Sequence, residues 1–344
     1  MTAALRNKMT KFWQTAFMTC ACLSAMSVNA RDFQYEGLKY TVLDEFQKTV
    51  STKAGTGYSN PGNAVMGEII IPSKVSDGSA EYTVTAIGQY GFFNCVELET
   101  IQIPSTVNEI GISAFDSCEG LKSIAIPDAV TVIREDTFID CSSLSEVKLP
   151  SKLERIDIGA FEGCSRLQQI DFPKTLKVIG PQTFNSTGLT SVEIPDGVKE
   201  IGQDAFNGCE HLEKIHISGS VTQFGTAIFG DCENIREVYY NTVNPVVTSD
   251  IFIYSDIYDS ATLYVPVGAS AKMRAANPWS YFKNIVETDF AGIRSIPVDP
   301  VDLTDCDVYT LDGRKIHLSV ERVQTGIYLI KTVSGVRKVL IGVK

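Results

Sequence analysis

The stretch "IGISAFDSCEGLKSIAIPDAV", Ile110 to Val130, recurs nearly unchanged as "IGQDAFNGCEHLEKIHISGSV", Ile201 to Val221. Aligning the chain on the first residue of that stretch gives Ile87, Ile110, Ile133, Ile156, Ile179, Ile201 and Phe224, at steps of 23, 23, 23, 23, 22 and 23 residues. Five residues later comes an aromatic in every copy: Phe92, Phe115, Phe138, Phe161, Phe184, Phe206 and Phe229. Each copy then opens a short apolar segment, from "LETIQIP" (Leu98) and "LKSIAIP" (Leu121) through "LSEVKLP", "LQQIDFP" and "LTSVEIP" to "LEKIHIS" and "IREVYY". A fixed period of this length marks a repeat architecture.

The unit has a physical reading. After the leading Leu, apolar and polar residues alternate, so a strand buries Ile101 and Ile103 and exposes Thr100 and Gln102. Pro104 and its equivalents lack a ladder donor and end the strand. "VNEIG" and "VKEIG" predict a second extended piece closed by a turn at Gly111 or Gly202. The "AFxxC" portion is long enough for one helical or 3₁₀ turn. One such unit cannot bury its apolar side alone, whereas stacked neighbours can, each strand pairing in parallel with the next. The sequence therefore predicts a β-rich solenoid, a coil with a Phe spine and an Ile sheet, closed by β caps.

This pattern resembles the leucine-rich repeat superfamily and, more narrowly, the BspA-like repeats of bacterial surface proteins, whose unit reads roughly "IGxxAFxxCxxLxxIxIPxxV". The likeness spans Ile87 to about Asn241, with a degenerate earlier unit at "EIIIPSKV", Glu68 to Val75. It implies a right-handed coil. Departures from the pattern fall at Arg134 and Asp157 in place of the turn Gly, at a fifth unit one residue short, and at Ser218 and Asn241 in place of Pro.

Cys95, Cys118, Cys141, Cys164, Cys209 and Cys232 occupy one repeat position, with "NST" (Asn185 to Thr187) there in the fifth unit. Stacked equivalents lie about 4.8 Å apart and point in parallel, while a disulfide needs Cβ atoms near 3.8 Å. Zinc takes ligands two to four residues apart, which a 23-residue step does not offer. The spacing predicts a reduced, buried thiol row serving as small apolar filler. Bridging between neighbours is the alternative that export and the even count favour.

The rest of the chain divides around the repeats. Residues 1–30 read as a secretory signal peptide: Arg6, Lys8 and Lys11, then the apolar "FWQTAFMTCACLSAM", then "SVNA" with cleavage after Ala30. Residues 31–86 form an N-terminal β cap with the degenerate first repeat. Seven repeats of about 23 residues fill 87–246. Residues 247–287 read as a C-terminal cap in which Trp279, Tyr281 and Phe282 pack the last coil. An aperiodic linker spans 288–302. Residues 303–344 form a small β tail with hairpin signals at Asp312-Gly313 and Ser334-Gly335. This tail is similar to the C-terminal sorting domains of Bacteroidetes proteins exported by the type IX system. That likeness implies delivery to the outer-membrane surface.

Of 344 residues, 44% are hydrophobic and 21% charged, which are globular proportions, and the net charge is −11. Losing the first 30 residues removes three positive charges and leaves −14, so the charge offers no footprint for nucleic acid. No stretch of the mature chain is apolar for long enough to span a bilayer. Catalytic signatures are missing too. The histidines are His211, His216 and His317, with no HExxH, no GxxxxGK loop and no GxGxxG, and "GISAF" lacks the second Gly of a nucleophile elbow. Asp77 and Asp299 stand in loops without the acidic spacing of a calcium site. The sequence predicts neither enzyme nor cofactor nor metal.

What remains is a surface. Outward strand positions line up as one stripe, the concave face if the coil curves, and its candidate binding residues are Gln102, Lys148, Asp171, Glu193, Lys214, His216, Glu237 and Tyr239. The resemblance implies recognition or adhesion at the cell surface, with host matrix or mucosal proteins or other bacterial surfaces as partners. A glycan-binding module for carbohydrate capture is the second reading, for which Tyr239 is the only aromatic of the stripe.

Overall fold

The computed structural model describes residues 31–53 and 65–290 throughout, and the strands Asp307–Tyr309, Lys315–Ile316, Gly326–Thr332 and Gly335–Ile341 of the tail. The expected leader and most of the expected linker lie outside the described residues.

Stacking of identical side chains builds the core. Phe92, Phe115, Phe138, Phe161, Phe184, Phe206 and Phe229 are fully buried and stack with ring centroids 5.2–5.4 Å apart. The column has an eighth member: Phe252 stacks on Phe229 at 5.6 Å. Around the column, the coils that open at Ile110, Ile133, Ile156 and Ile201 bury that Ile, the residue before the Phe, the Cys, the Leu and the residue that closes "IPxxV". Ile133, Phe138, Cys141, Leu144 and Leu153 show the set for one coil.

Two ribbons of parallel strands flank this core. One is made of two-residue strands, Val132–Ile133, Arg155–Ile156, Val178–Ile179, Glu200–Ile201 and Gln223–Phe224, each paired with the next. The other carries the outward stripe and comes in two sections. Gly67–Ile70, Leu98–Gln102, Ser123–Ala125 and Glu146–Lys148 form the first. Ser191–Ile194, Lys214–Ser218, Glu237–Asn241, Thr262–Pro266 and Asn284–Thr288 form the second. The strand Gly67–Ile70 belongs to the degenerate early unit.

The fourth unit, "LQQIDFP", forms no strand, so the stripe is interrupted there. Phe172 stands where other units carry Ile103, Ile126, Leu149, Ile194 or Ile217. Its ring meets the spine residue Phe184 edge-on at 5.5 Å. Ile170 and Phe172 are only partly buried, and the added ring volume beside a fifth unit one residue short is the physical reason this rung makes no ladder with either neighbour.

Two local expectations change. Gly111 and Gly202 do not take the left-handed conformation. They are glycine because a Cβ would lie 2.5 Å from Gln89 N and 2.3 Å from Pro181 N of the preceding coil, so the position serves close approach of coil on coil. The expected helical turn at "AFxxC" is instead a pair of tight turns. Residues three past the first Ile and two past the Phe, such as Ser113 and Ser117 or Asp136 and Asp140, have φ between 51° and 58°, and left-handed residues interrupt a helix.

The cap strands Asp32–Tyr35, Leu38–Asp44 and Thr49–Lys53 pair antiparallel, and the last joins Glu81–Ile87 in parallel, so the front cap runs into the coil. At the rear, Trp279 and Phe282 are buried, and Trp279 stacks on Tyr240 at 4.3 Å with Nε1 donating to Val246 O at 2.9 Å. Tyr281 stays half-exposed, edge-on to Tyr258. The tail strands form a four-stranded antiparallel sheet.

Candidate recognition surface

The thiol row is built but does more than fill space. Cys118, Cys141, Cys164, Cys209 and Cys232 are free and buried, and each donates its S–H to the carbonyl of the preceding coil's Phe at 3.0–3.2 Å. Thr187 and Ser255 fill the same slot with hydroxyl donors: Ser255 Oγ reaches Phe229 O of the preceding coil at 3.3 Å, while Thr187 Oγ1 donates to Phe184 O of its own coil at 2.9 Å. The position therefore takes a small donor rather than any small apolar residue, which amends the filler reading. Burial pushes the Cys95 thiol up to about 11 and raises those of Cys118, Cys141 and Cys164 well above their usual range, so these four thiols hold their protons and lie away from solvent.

On the outward stripe, parallel register places like positions side by side. Lys214 faces Ser191 on one side and Glu237 on the other, while His216 faces Glu193 on one side and Tyr239 on the other. Tyr239 in turn faces Tyr264, and Tyr264 faces Val286. The rings of His216 and Tyr239 stack at 4.2 Å with 1° between planes, and those of Tyr239 and Tyr264 at 4.5 Å with 11°. Lys214 Nζ lies 4.8 Å from the Tyr239 centroid and 3.1 Å from Glu237 Oε2, to which Tyr239 OH also donates. Burial lowers the His216 pKa to about 4, with Lys214 adding to the shift, so the imidazole is neutral at pH 7. Burial and the Glu237 carboxylate hold the Tyr239 hydroxyl well above its usual range.

The chain's pattern and architecture have counterparts among known proteins. The profile of the BspA type leucine rich repeat region matches residues 72–184 and 133–259, in six copies. The chain belongs to the BspA-type leucine-rich repeat family. The leucine-rich repeat protein TpLRR of T. pallidum is 27% identical, with 60% of this chain and 91% of that chain covered at a TM-score of 0.51. A leucine-rich repeat protein from Bacteroides ovatus is 23% identical over 74% of this chain and 88% of its own, with a TM-score of 0.32. No curated protein matches.

In this BspA-type chain the eight sequence-chosen residues do not form one patch. Lys214, His216, Glu237 and Tyr239 come together, with Glu193 one rung away. Gln102 and Lys148 are exposed in the other section of the stripe, where Gln102 Nε2 donates to Glu68 at 3.1 Å. Asp171 sits on the interrupted rung. Tyr264 and Phe290 were missed. Tyr264 lies in what the sequence marks as cap, although "TLYVP" does carry the strand-and-Pro signal. Phe290 reaches Tyr239 only through the chain path after the last strand.

Departures from the family pattern also shape the surface. A polar cleft of about 380 Å³, lined by Gln168, Thr190, His211, Glu213 and Asn234, opens where the fifth unit is short. A second, of about 460 Å³, opens where Ser218 and Asn241 replace Pro. On the turn side, Asp116, Asp136 and Glu162 are half-buried carboxylates with raised pKa values, that of Asp136 about 6, through burial first, with repulsion from nearby carboxylates, Asp140, Glu135 and Asp136 respectively, adding to it. Among the described residues no group of three or more His, Cys, Asp or Glu is placed to hold a metal ion, and no helix is long and apolar enough to cross a membrane.

Proposed function

We propose that this chain is an exported recognition or adhesion protein of the cell surface that binds a polypeptide through the C-terminal section of its concave face, without catalysis. The observation that carries this reading is the His216–Tyr239–Tyr264 stack with Lys214 and Glu237 beside it. Large amphipathic rings held rigid are what protein interfaces concentrate at their centres, with charged pairs at the rim. A sugar platform would offer an open ring face, whereas both faces of Tyr239 are covered by its neighbours. The leader-like residues 1–30 and the sorting-like tail support export and outer-membrane delivery. Host matrix or mucosal proteins and other bacterial surfaces are the partner classes that the family resemblance implies.

The test is binding of the mature chain, residues 31–344, to matched panels of host proteins and glycans. It runs beside a chain carrying Lys214→Ala, His216→Ala, Glu237→Ala and Tyr239→Ala. A protein partner lost in the variant is expected. A partner that is only a glycan would replace this reading with carbohydrate capture.

A further inference from the structure

The row of stacked rings already has an occupant. The last strand of the sheet, Asn284–Thr288, lies two strands beyond Tyr239. Two residues after it, Phe290 stands 6.3 Å from the Tyr239 ring with 84° between planes. The chain has therefore turned back across the strand Thr262–Pro266 and laid an aromatic side chain on the outward stripe. This contact differs in kind from cap packing. Trp279 and Phe282, which close the coil, are at most 1% exposed, whereas Phe290 stays half-buried.

The geometry at Tyr239 says what fits there. Its two faces are taken by His216 and Tyr264, which leaves the electropositive ring edge as the part open to a ligand. An edge of that sign prefers the electron-rich face of another aromatic ring, the edge-to-face arrangement that Phe290 adopts. Lys214 Nζ, 4.8 Å from the Tyr239 centroid, adds a cation beside the same spot, and a cation also favours an aromatic face. Val286, 44% exposed on the adjoining rung, supplies an apolar floor.

We infer that Phe290 is a built-in plug of the recognition surface, and that the natural partner is a polypeptide presenting an aromatic side chain that displaces it onto the edge of Tyr239. This deepens the proposed function and rests on its site. An internal competitor lowers apparent affinity by the fraction of time it holds the site, so removing the ring should strengthen binding of an aromatic probe.

The probe is N-acetyl-phenylalaninamide, titrated into the mature chain with selectively labelled His and Tyr, reading the His216 and Tyr239 resonances by NMR. N-acetyl-leucinamide and N-acetylglucosamine serve as controls. Phe290→Ala should move the Tyr239 resonances before any probe is added. It should also bring the titration midpoint down by about two- to tenfold, the usual worth of one edge-to-face ring pair. Phe290→Tyr, which keeps the ring, should titrate like the unaltered chain, and an unchanged melting temperature shows the variants folded. Equal midpoints with and without the Phe290 ring would overturn the plug. Equal response to the leucine control or to the sugar would overturn the aromatic partner. A protein that binds through Lys214 and Tyr239 yet ignores Phe290 would leave the proposed function standing while this inference fell.

Discussion

The two sections of the outward sheet are written in the same repeat and yet differ. In the section from Gly67 to Lys148, Ile71, Ile101, Ile124 and Ile126 are buried but Ile69, Ile103, Val147 and Leu149 are only partly so, and the outward row, Ile70 and Gln102 among it, carries no ring. In the section from Ser191 to Thr288, Val192, Ile194, Ile215, Ile217, Val238, Tyr240, Leu263 and Val265 are all buried, and the outward row carries His216, Tyr239 and Tyr264. The interrupted fourth rung lies between them. Tight inward packing is what fixes outward rings in one geometry, because each strand has two faces and rigidity on one is inherited by the other. The second section is therefore where outward rings are held in one geometry.

The largest expected effect tests what the sections share. Phe161 sits in the column between Phe138 and Phe184, fully buried. Phe161→Ala should destabilise by about 3–5 kcal/mol, measured by urea unfolding, as truncation of a buried aromatic does. A loss near zero would break the picture of one continuous spine. Next comes the thiol row. Cys141→Ala removes the donor to Phe115 O, which keeps its backbone partner Cys118 N–H, so the cost should be about 1–2 kcal/mol. Cys141→Ser should cost less than Cys141→Ala if the donor matters, and the six row cysteines should all react as free thiols once the chain is unfolded.

The interruption itself is open to repair. Phe172→Ile gives the fourth unit the residue its neighbours carry, and should stabilise by about 1 kcal/mol by relieving the crowded ring. Slower amide exchange over residues 169–172 would accompany it. Faster exchange there would show that Phe172 holds the rung together rather than apart.

The smallest effects are in pH. Asp136, in the first section's half of the coil, has a pKa raised to about 6. The folded chain binds a proton that the unfolded chain releases near 4, so this group's contribution falls as pH rises from about 4 to 6. His216, in the second, has a pKa lowered to about 4. Here the unfolded chain binds the proton, so stability rises with pH from about 4 to 6.5. Asp136→Asn should steepen the rise of stability with pH across that window, and His216→Gln should flatten it. Thermal melts at several pH values would show either slope, and an NMR titration placing His216 near 6.5 would contradict its burial.

Much of this was legible in the sequence because a repeat writes the same physics many times. The period, the Phe column, the thiol row and the outward stripe all follow from spacing and side-chain chemistry. The interrupted rung was not legible, since Phe172 reads as one more apolar residue and its effect is a matter of volume against Phe184. The eighth spine residue was half-legible: Phe252 and Ser255 each follow their equivalents, Phe229 and Cys232, by 23 residues, but Tyr258 stands where the unit carries Leu and the strand and Pro of "TLYVP" come two residues late. Gly111 and Gly202 read as turn formers because their constraint comes from the preceding coil and not from their own backbone. Within the candidate site, Lys214, His216, Glu237 and Tyr239 were chosen on spacing alone. Tyr264 was hidden behind a divergent unit, and Phe290 by a path that only the folded chain reveals.

The most direct test of the central claim sets one section of the sheet against the other. A protein partner recovered with the mature chain would be titrated against two variants. One carries Gln102→Ala and Lys148→Ala, and the other carries His216→Ala and Tyr239→Ala. The account predicts that the first binds like the unaltered chain and that the second loses at least about 2 kcal/mol, a factor near thirty, as rigid aromatic centres of interfaces do. Loss confined to the first variant would place recognition in the loosely packed section and contradict the account.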